Sequence, residues 1–181
     1  MSIALPSERS VMSERQPPIR LLPTAGLKQD LQVLHDAAVM HPHGPEDRLL
    51  RVALNQLGRI QQGAPSTHPL EYMSSYPDLS DCETTYVGAD PNEKPSHRIV
   101  WRERAPQRPG GPVPREIIAL GERANGQAYY LAGQRLGRPV GFTLAELAAQ
   151  REPIASPSGP RQRSIGDFAT QATNEPDLQF E

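Results

Sequence analysis

The sequence predicts an α+β fold in which one small antiparallel sheet packs against helices. Three observations carry this reading. Apolar residues recur at helical spacing in two adjacent segments between residues 27 and 60. Three β-rich segments joined by turn-rich connections follow between residues 83 and 120. A third helical segment closes the pattern near residue 136.

The elements follow in order. Ile19-Arg20-Leu21-Leu22 is a short apolar run stopped by Pro23, and it reads as a strand. Leu27, Leu31, Leu34 and Ala38 are spaced by four, three and four residues, which places them on one helix face. His41-Pro42-His43-Gly44 breaks that helix. A second helix opens with Pro45 in its first turn, where Glu46 and Asp47 suit the positive helix end. Its apolar face comprises Leu49, Leu50, Ala53, Leu54, Leu57 and Ile60, and Gly63 stops it. The two helices form an αα-hairpin. Residues 64–80 contain Pro65, Pro69 and Pro77 and read as an irregular connection. The strand segments are Glu83–Val87, His97–Arg102 and Glu116–Leu120, most simply an antiparallel meander. A third helix is expected from about Asn125, as N-cap, to Leu136, with Ala128, Tyr129, Ala132 and Leu136 on one face. Thr143-Leu144-Ala145-Glu146 reads as a capping box opening a short helix near 143–150.

Composition confines the core to part of the chain. Of 181 residues, 36% are hydrophobic and 5% aromatic, with 20 Pro and 14 Gly, too little apolar material for a core spanning every position. The expected organisation is a flexible arm over 1–18, a domain over 19–138, and a mostly disordered tail over 139–181 containing the short helix. Cys82 is the one cysteine, which excludes an intramolecular disulfide and fits a reducing, cytoplasmic setting. Neither a secretion signal nor a membrane span is evident. The five His lack metal-ligand spacing and Cys82 alone cannot complete a zinc site, so neither metal nor cofactor is expected.

Net charge is -2, which predicts no bulk attraction to nucleic acid, yet charge is unevenly distributed. Residues 98–138 hold eight Arg against three acids, Glu103, Glu116 and Glu122, and both flanks are net acidic. Strand alternation puts Ile99 and Trp101 on one face and Arg98, Val100 and Arg102 on the other. That requires a two-sided sheet, with helices on one face and a groove on the other. Taken alone, Arg98 and Arg102 are better read as solvated strand residues. The stretch from Ala119 to Tyr129 runs from a strand end through a turn into a helix start, a geometry that favours phosphate. An Arg123 fork there suits phosphate oxygens. Tyr129 suits base stacking or proton transfer. The ordinary reading of Tyr129 is a core residue with its hydroxyl at the edge, and of Arg123 a surface charge.

These residues resemble the RelE branch of the RelE/ParE toxins of bacterial toxin–antitoxin systems. That family has the order β-α-α-β-β-β-α. His97-Arg98-Ile99-Val100-Trp101 is similar to its second meander strand. Gly121, Arg123, Tyr129, Ala132, Arg135 and Leu136 stand where it carries a glycine, a basic turn, a tyrosine six positions after the key arginine, and a late arginine in the last helix. Asp78-Leu79-Ser80-Asp81-Cys82 resembles its lead into the first meander strand. The resemblance covers about two-thirds of the chain.

The resemblance implies a RelE-like fold and ribosome-dependent mRNA cleavage in the cytoplasm. No metal is required: the RNA 2′-OH attacks the adjacent phosphate. Arg98, Arg123 and Tyr129 would be the catalytic set. His97, Arg102, Tyr86 and Arg135 would be accessory RNA-binding or acid–base residues. The implied partners are a cognate antitoxin, the ribosome and mRNA. One departure stands out. Members of the branch often carry basic residues on the first meander strand, which here reads Glu83-Thr84-Thr85-Tyr86. A ParE-like gyrase inhibitor and an inactive interaction module of the same fold stay open as alternatives.

Overall fold

The computed structural model describes residues 17–150. The expected arm lies outside them except for Pro17 and Pro18, and the expected tail lies outside them from Arg151 onward. The elements are β1 (Ile19–Pro23), α1 (Ala25–Met40), α2 (Pro45–Gln61), β2 (His68–Pro69), β3 (Glu83–Val87), β4 (His97–Glu103), β5 (Val113–Glu122), α3 (Gln127–Arg135) and α4 (Leu144–Gln150). The sheet order is β1-β5-β4-β3-β2.

The sheet is mixed, which corrects the expectation of an antiparallel one. β3, β4 and β5 form the anticipated meander, but β1 lies parallel to β5, with Ile19 opposite Val113 and Pro23 opposite Ile117. The α1–α2 hairpin leaves from the end of β1 and supplies the long crossover that a parallel pair requires. The connection over 64–80 also contributes a two-residue strand. His68 and Pro69 pair with Thr84 and Glu83 at the sheet edge, where a proline is tolerated.

Each helix start follows local chemistry. Thr24 caps α1: its Oγ1 accepts the Leu27 N–H at 3.1 Å, and its hydroxyl donates to the Ile118 carbonyl at 3.2 Å. Pro45 opens α2 with Glu46 and Asp47 in the first turn. At α4 the Thr143 and Glu146 side chains exchange bonds with each other's backbone N–H at 2.8 and 3.2 Å, a reciprocal capping box.

Two cores sandwich the sheet. Leu27, Leu49, Ala53 and Ile60 of α1–α2 pack on Val87, Ile99, Trp101, Ile117 and Leu120. On the other face, Ala128 and Ala132 of α3 and the loop residues Leu79 and Cys82 pack on Val100, Ile118 and Ala119. Fully burying a large apolar side chain contributes roughly 1.5–3 kcal/mol. A bulge separates the two sets: Val100 pairs with Ala119 but Trp101 pairs with Ile117, leaving Ile118 as the extra residue of β5. Ile118 and Ala119 therefore share one face, and Leu120 returns to the other.

β1 ends opposite Ile117, and one ion pair takes its place beyond that point. Arg135 grips Asp30 with two bonds of 2.6 Å. Asp30 Oδ2 also accepts the Leu120 N–H at 2.9 Å, and Arg135 donates to the Ile118 carbonyl at 2.9 Å. The Arg135 side chain packs against Gly26, where a Cβ would stand 2.3 Å from Nε. Arg135 is thus held by α1 and β5.

Residues 138–144 also pack against the sheet's second layer, although the expected domain stops at 138. Pro77 bridges Val140, and the Leu144 N–H donates to Asp78 at 2.8 Å. Arg138 binds Asp81 and donates to the Asp78 carbonyl at 2.9 Å. Burial opposes ionisation of both acids. Hydrogen bonds from Ser80 and Leu144 nevertheless hold Asp78 below its ordinary 3.8, and those from Arg138, Cys82 and Arg102 hold Asp81 well below it. Burial, with Asp81 beside it, pushes the Cys82 thiol up to about 12, so it is inert at neutral pH. Among the described residues no helix is long and apolar enough to cross a membrane.

Two predictions follow from these links. Asp30→Ala leaves Arg135 unpaired and the Leu120 N–H without its acceptor, and it should cost about 3 kcal/mol in urea unfolding. Asp78 and Asp81 titrate lower folded than unfolded. Their stabilisation is complete above the ordinary value of 3.8 and is lost as pH falls below it through the folded values. Hydrogen exchange on acidification should show residues 138–150 losing protection before α1 and α2 do.

Candidate nucleic-acid interface

Tyr86, Arg98 and Gly121 form one row across β3, β4 and β5. Strand alternation puts this row on the α3 face of the sheet, one step beyond Thr84, Val100 and Ala119. Helix α3 crosses directly over Gly121. A Cβ there would stand 3.1 Å from the Ala128 Cα, so glycine permits the approach. The next residue of α3, Tyr129, comes to lie over the Arg98 guanidinium, 4.6 Å from Cζ to ring centroid. The Tyr86 ring lies 5.4 Å from the same carbon and 5.9 Å from Arg123 Cζ. Arg98 thus contacts two aromatic rings, a cation–π arrangement. Its Nε is buried without a hydrogen-bond partner.

The turn into α3 differs from the expected cap. Asn125 is not an N-cap. It sits in a 3₁₀ turn, Ala124–Gly126, with φ 53°, and Gly126 follows with φ 66° before the helix begins at Gln127. Two successive left-handed residues turn the chain sharply from strand to helix, and Asn and Gly are the residues that tolerate this. The Arg123 N–H donates to the Ser96 carbonyl at 2.7 Å, which fixes the turn to the start of β4.

Tyr76 closes the other side. Its ring sits on Gly126, where a Cβ would come within 2.2 Å of Cε1. The ring meets Tyr129 edge-on at 5.7 Å and Tyr130 at 5.1 Å, and the Tyr130 hydroxyl donates to the Ser75 carbonyl at 3.0 Å. The result is an open groove of about 630 Å³ lined by Tyr76, Ser96, Arg98, Glu122, Arg123 and Asn125, among others.

Ion pairing decides which arginines are available. Arg102 binds Glu116 at 2.8 Å and Asp81 at 3.2 Å, and Arg104 shares Glu116 at 3.0 Å. Arg115 binds Glu103 at 2.9 Å, caps α2 through the Ile60 and Ala64 carbonyls, and lies over Trp101. Arg135 and Arg138 are held by Asp30 and Asp81. Among the described residues, Arg98, Arg108 and Arg123 of the basic segment form no ion pair. Two of these three line the groove.

The structure therefore brings Arg98, Arg123, Tyr129 and Tyr86 together. Arg102 and Arg135 are engaged elsewhere. His97 stands in the row of Val87 and Glu122, on the α1–α2 face, and reaches the groove only at its rim. Burial lowers its pKa below 6.5, although Glu122 opposes this, so its imidazole is neutral at pH 7. Burial, reinforced by Tyr86 and Tyr76 and opposed by Arg98, raises the Tyr129 pKa above 10. Its phenol stays protonated and suits proton donation or stacking. Glu83 pairs with Trp101, on the α1–α2 face, and accepts the Ser66 hydroxyl at 2.5 Å. The acid on β3 thus faces away from the groove. Tyr76 and the left-handed conformation of Asn125 and Gly126 are not foreseen from the sequence.

No family model, curated protein or solved structure matches this chain.

Gly126→Ala tests the groove's construction. A Cβ at φ 66° collides with the Tyr76 ring. The expected outcome is a loss of about 1–3 kcal/mol, with ring contacts between Tyr76 and Tyr129 lost from NMR spectra while the α1–α2 core persists.

Proposed function

We propose that the protein is a RelE-like toxin that engages and cleaves single-stranded mRNA at the ribosome. The observation that carries this reading is Arg98, whose guanidinium contacts the Tyr129 and Tyr86 rings, forms no ion pair and lines an open groove beside Arg123. The element order supports it as well. Without the two-residue β2, the order up to α3 is β-α-α-β-β-β-α.

In this reading the substrate phosphate sits between Arg98 and Arg123. The 2′-oxygen forms a bond to phosphorus and loses its proton to water. The bond from phosphorus to the 5′-oxygen breaks, leaving a 2′,3′-cyclic phosphate. Arg98 stabilises the charge that builds on the phosphate oxygens, and its two aromatic neighbours hold it in place before substrate arrives. Arg123 clamps the phosphate. Tyr129, protonated at neutral pH, gives its proton to the leaving 5′-oxygen or stacks on a base. His97 is a minor contributor because its strand row faces away. A cognate antitoxin would cover this face in the cytoplasm.

The test is induced expression in a bacterium with mapping of mRNA 5′ ends. Growth arrest with cuts inside translated codons is expected. Arg98→Ala, Arg123→Ala and Tyr129→Phe should each reduce cleavage, with the arginine changes costing about 10²–10³-fold. Arrest with intact mRNA and damaged DNA would overturn the reading in favour of gyrase inhibition. No arrest, with the variants behaving like the parent chain, would leave an inactive interaction module.

A further inference from the structure

Tyr76 belongs to a loop whose next three residues, Pro77, Asp78 and Leu79, are all buried while Tyr76 itself is half-buried at the groove rim. The anchoring of the loop falls to these three buried neighbours. Asp78 is 3% exposed and organises them. Its carboxylate accepts the Ser80 N–H at 3.0 Å and the Leu144 N–H at 2.8 Å. Its carbonyl accepts Arg138 at 2.9 Å, and Pro77 bridges Val140 while packing on Gly133 of α3. The loop is thus clamped between α3 and residues 138–144. What the clamp presents is one aromatic ring, seated on Gly126 beside the two unpaired arginines.

We propose that Tyr76 is a base-binding residue of the groove, stacking a nucleobase of single-stranded RNA, and that Asp78 is the positioning residue that holds it there through residues 138–144. The proposal rests on the reading of the groove as an RNA site, and it adds a recognition element from outside the meander and α3. Phosphates on Arg98 and Arg123 recognise backbone alone. A ring at the rim recognises that a base is attached, with little regard to which one, because every base presents a flat face. Tyr130 plays a different part, since its hydroxyl is tied to Ser75 and braces the loop.

The test uses the full chain and two fluorescein-labelled hexamers with 2′-O-methyl riboses, which cannot be cleaved. One carries six bases and the other is abasic with the same phosphates. Fluorescence anisotropy should show the base-bearing probe binding the parent chain roughly 10-fold more tightly. Tyr76→Leu should reduce that preference by weakening the base-bearing probe more than the abasic one, and Tyr76→Phe should restore it. Asp78→Asn should weaken the preference in the same direction, with hydrogen exchange in α1 and α2 unaltered. Unchanged base preference in Tyr76→Leu overturns the proposal, as does an equal loss of both probes. If the parent chain cuts mRNA on expression while Tyr76→Leu keeps its preference, only this proposal fails. If the parent chain binds neither probe, the RNA reading fails with it.

Discussion

The Asp30–Arg135 pair stands where β1 runs out, and the groove depends on it. A strand edge that loses its neighbour inside a protein leaves backbone groups in need of partners. On β5 these are the Ile118 carbonyl and the Leu120 N–H, and the pair satisfies both. The same two side chains tie α1, on one face of the sheet, to α3, on the other. With α3 fixed at its last turn by Arg135, and with Gly121 letting its first turn approach β5, Tyr129 has one place to go. The bulge at Ile118 makes this possible. Without the extra residue, a shift of one position would exchange the faces of Leu120 and Gly121. A leucine would then lie under Ala128, and α3 would ride too high to reach Arg98.

The second constraint is charge. Eight arginines in residues 98–138 suggest a broad basic surface, but most have structural work. Asp81 gathers Arg102 and Arg138, Glu116 gathers Arg102 and Arg104, and Glu103 holds Arg115. What is left is concentrated at the groove. A chain of net charge -2 thus keeps two guanidinium groups, those of Arg98 and Arg123, free of ion pairs side by side in one groove.

The parts of this arrangement that were legible in the sequence are those governed by local periodicity. The period of two in His97–Arg102 placed Arg98 and Val100 opposite Ile99 and Trp101, and the 3.6-residue spacing of Leu27, Leu31, Leu34 and Ala38 gave the face of α1. The direction of β1 was not legible, because a run of Ile19, Leu21 and Leu22 carries no sign of a parallel partner some 94 positions away. The Asn125 turn was misread because Asn favours both an N-cap and a left-handed residue, and only the adjacent Gly126 tips the balance. Arg135 gave no sign of its partner Asp30, 105 residues earlier in the chain. Tyr76 lay in a proline-rich connection with no period at all, and its place is set by Gly126 and Asp78.

The missing lysine on β3 takes on a different meaning in this geometry. Only alternate residues of β3 face the groove, and these are Thr84 and Tyr86. Thr84 is fully buried under the second core, so a lysine there would face the burial cost of an unpaired charge. Tyr86 is the one position of the strand close enough to act, and it contacts Arg98. A lysine at that position would add a charge but repel the guanidinium it now supports. The chain therefore has an aromatic ring where a second cation would stand, which trades a second positive charge for a contact that orients Arg98.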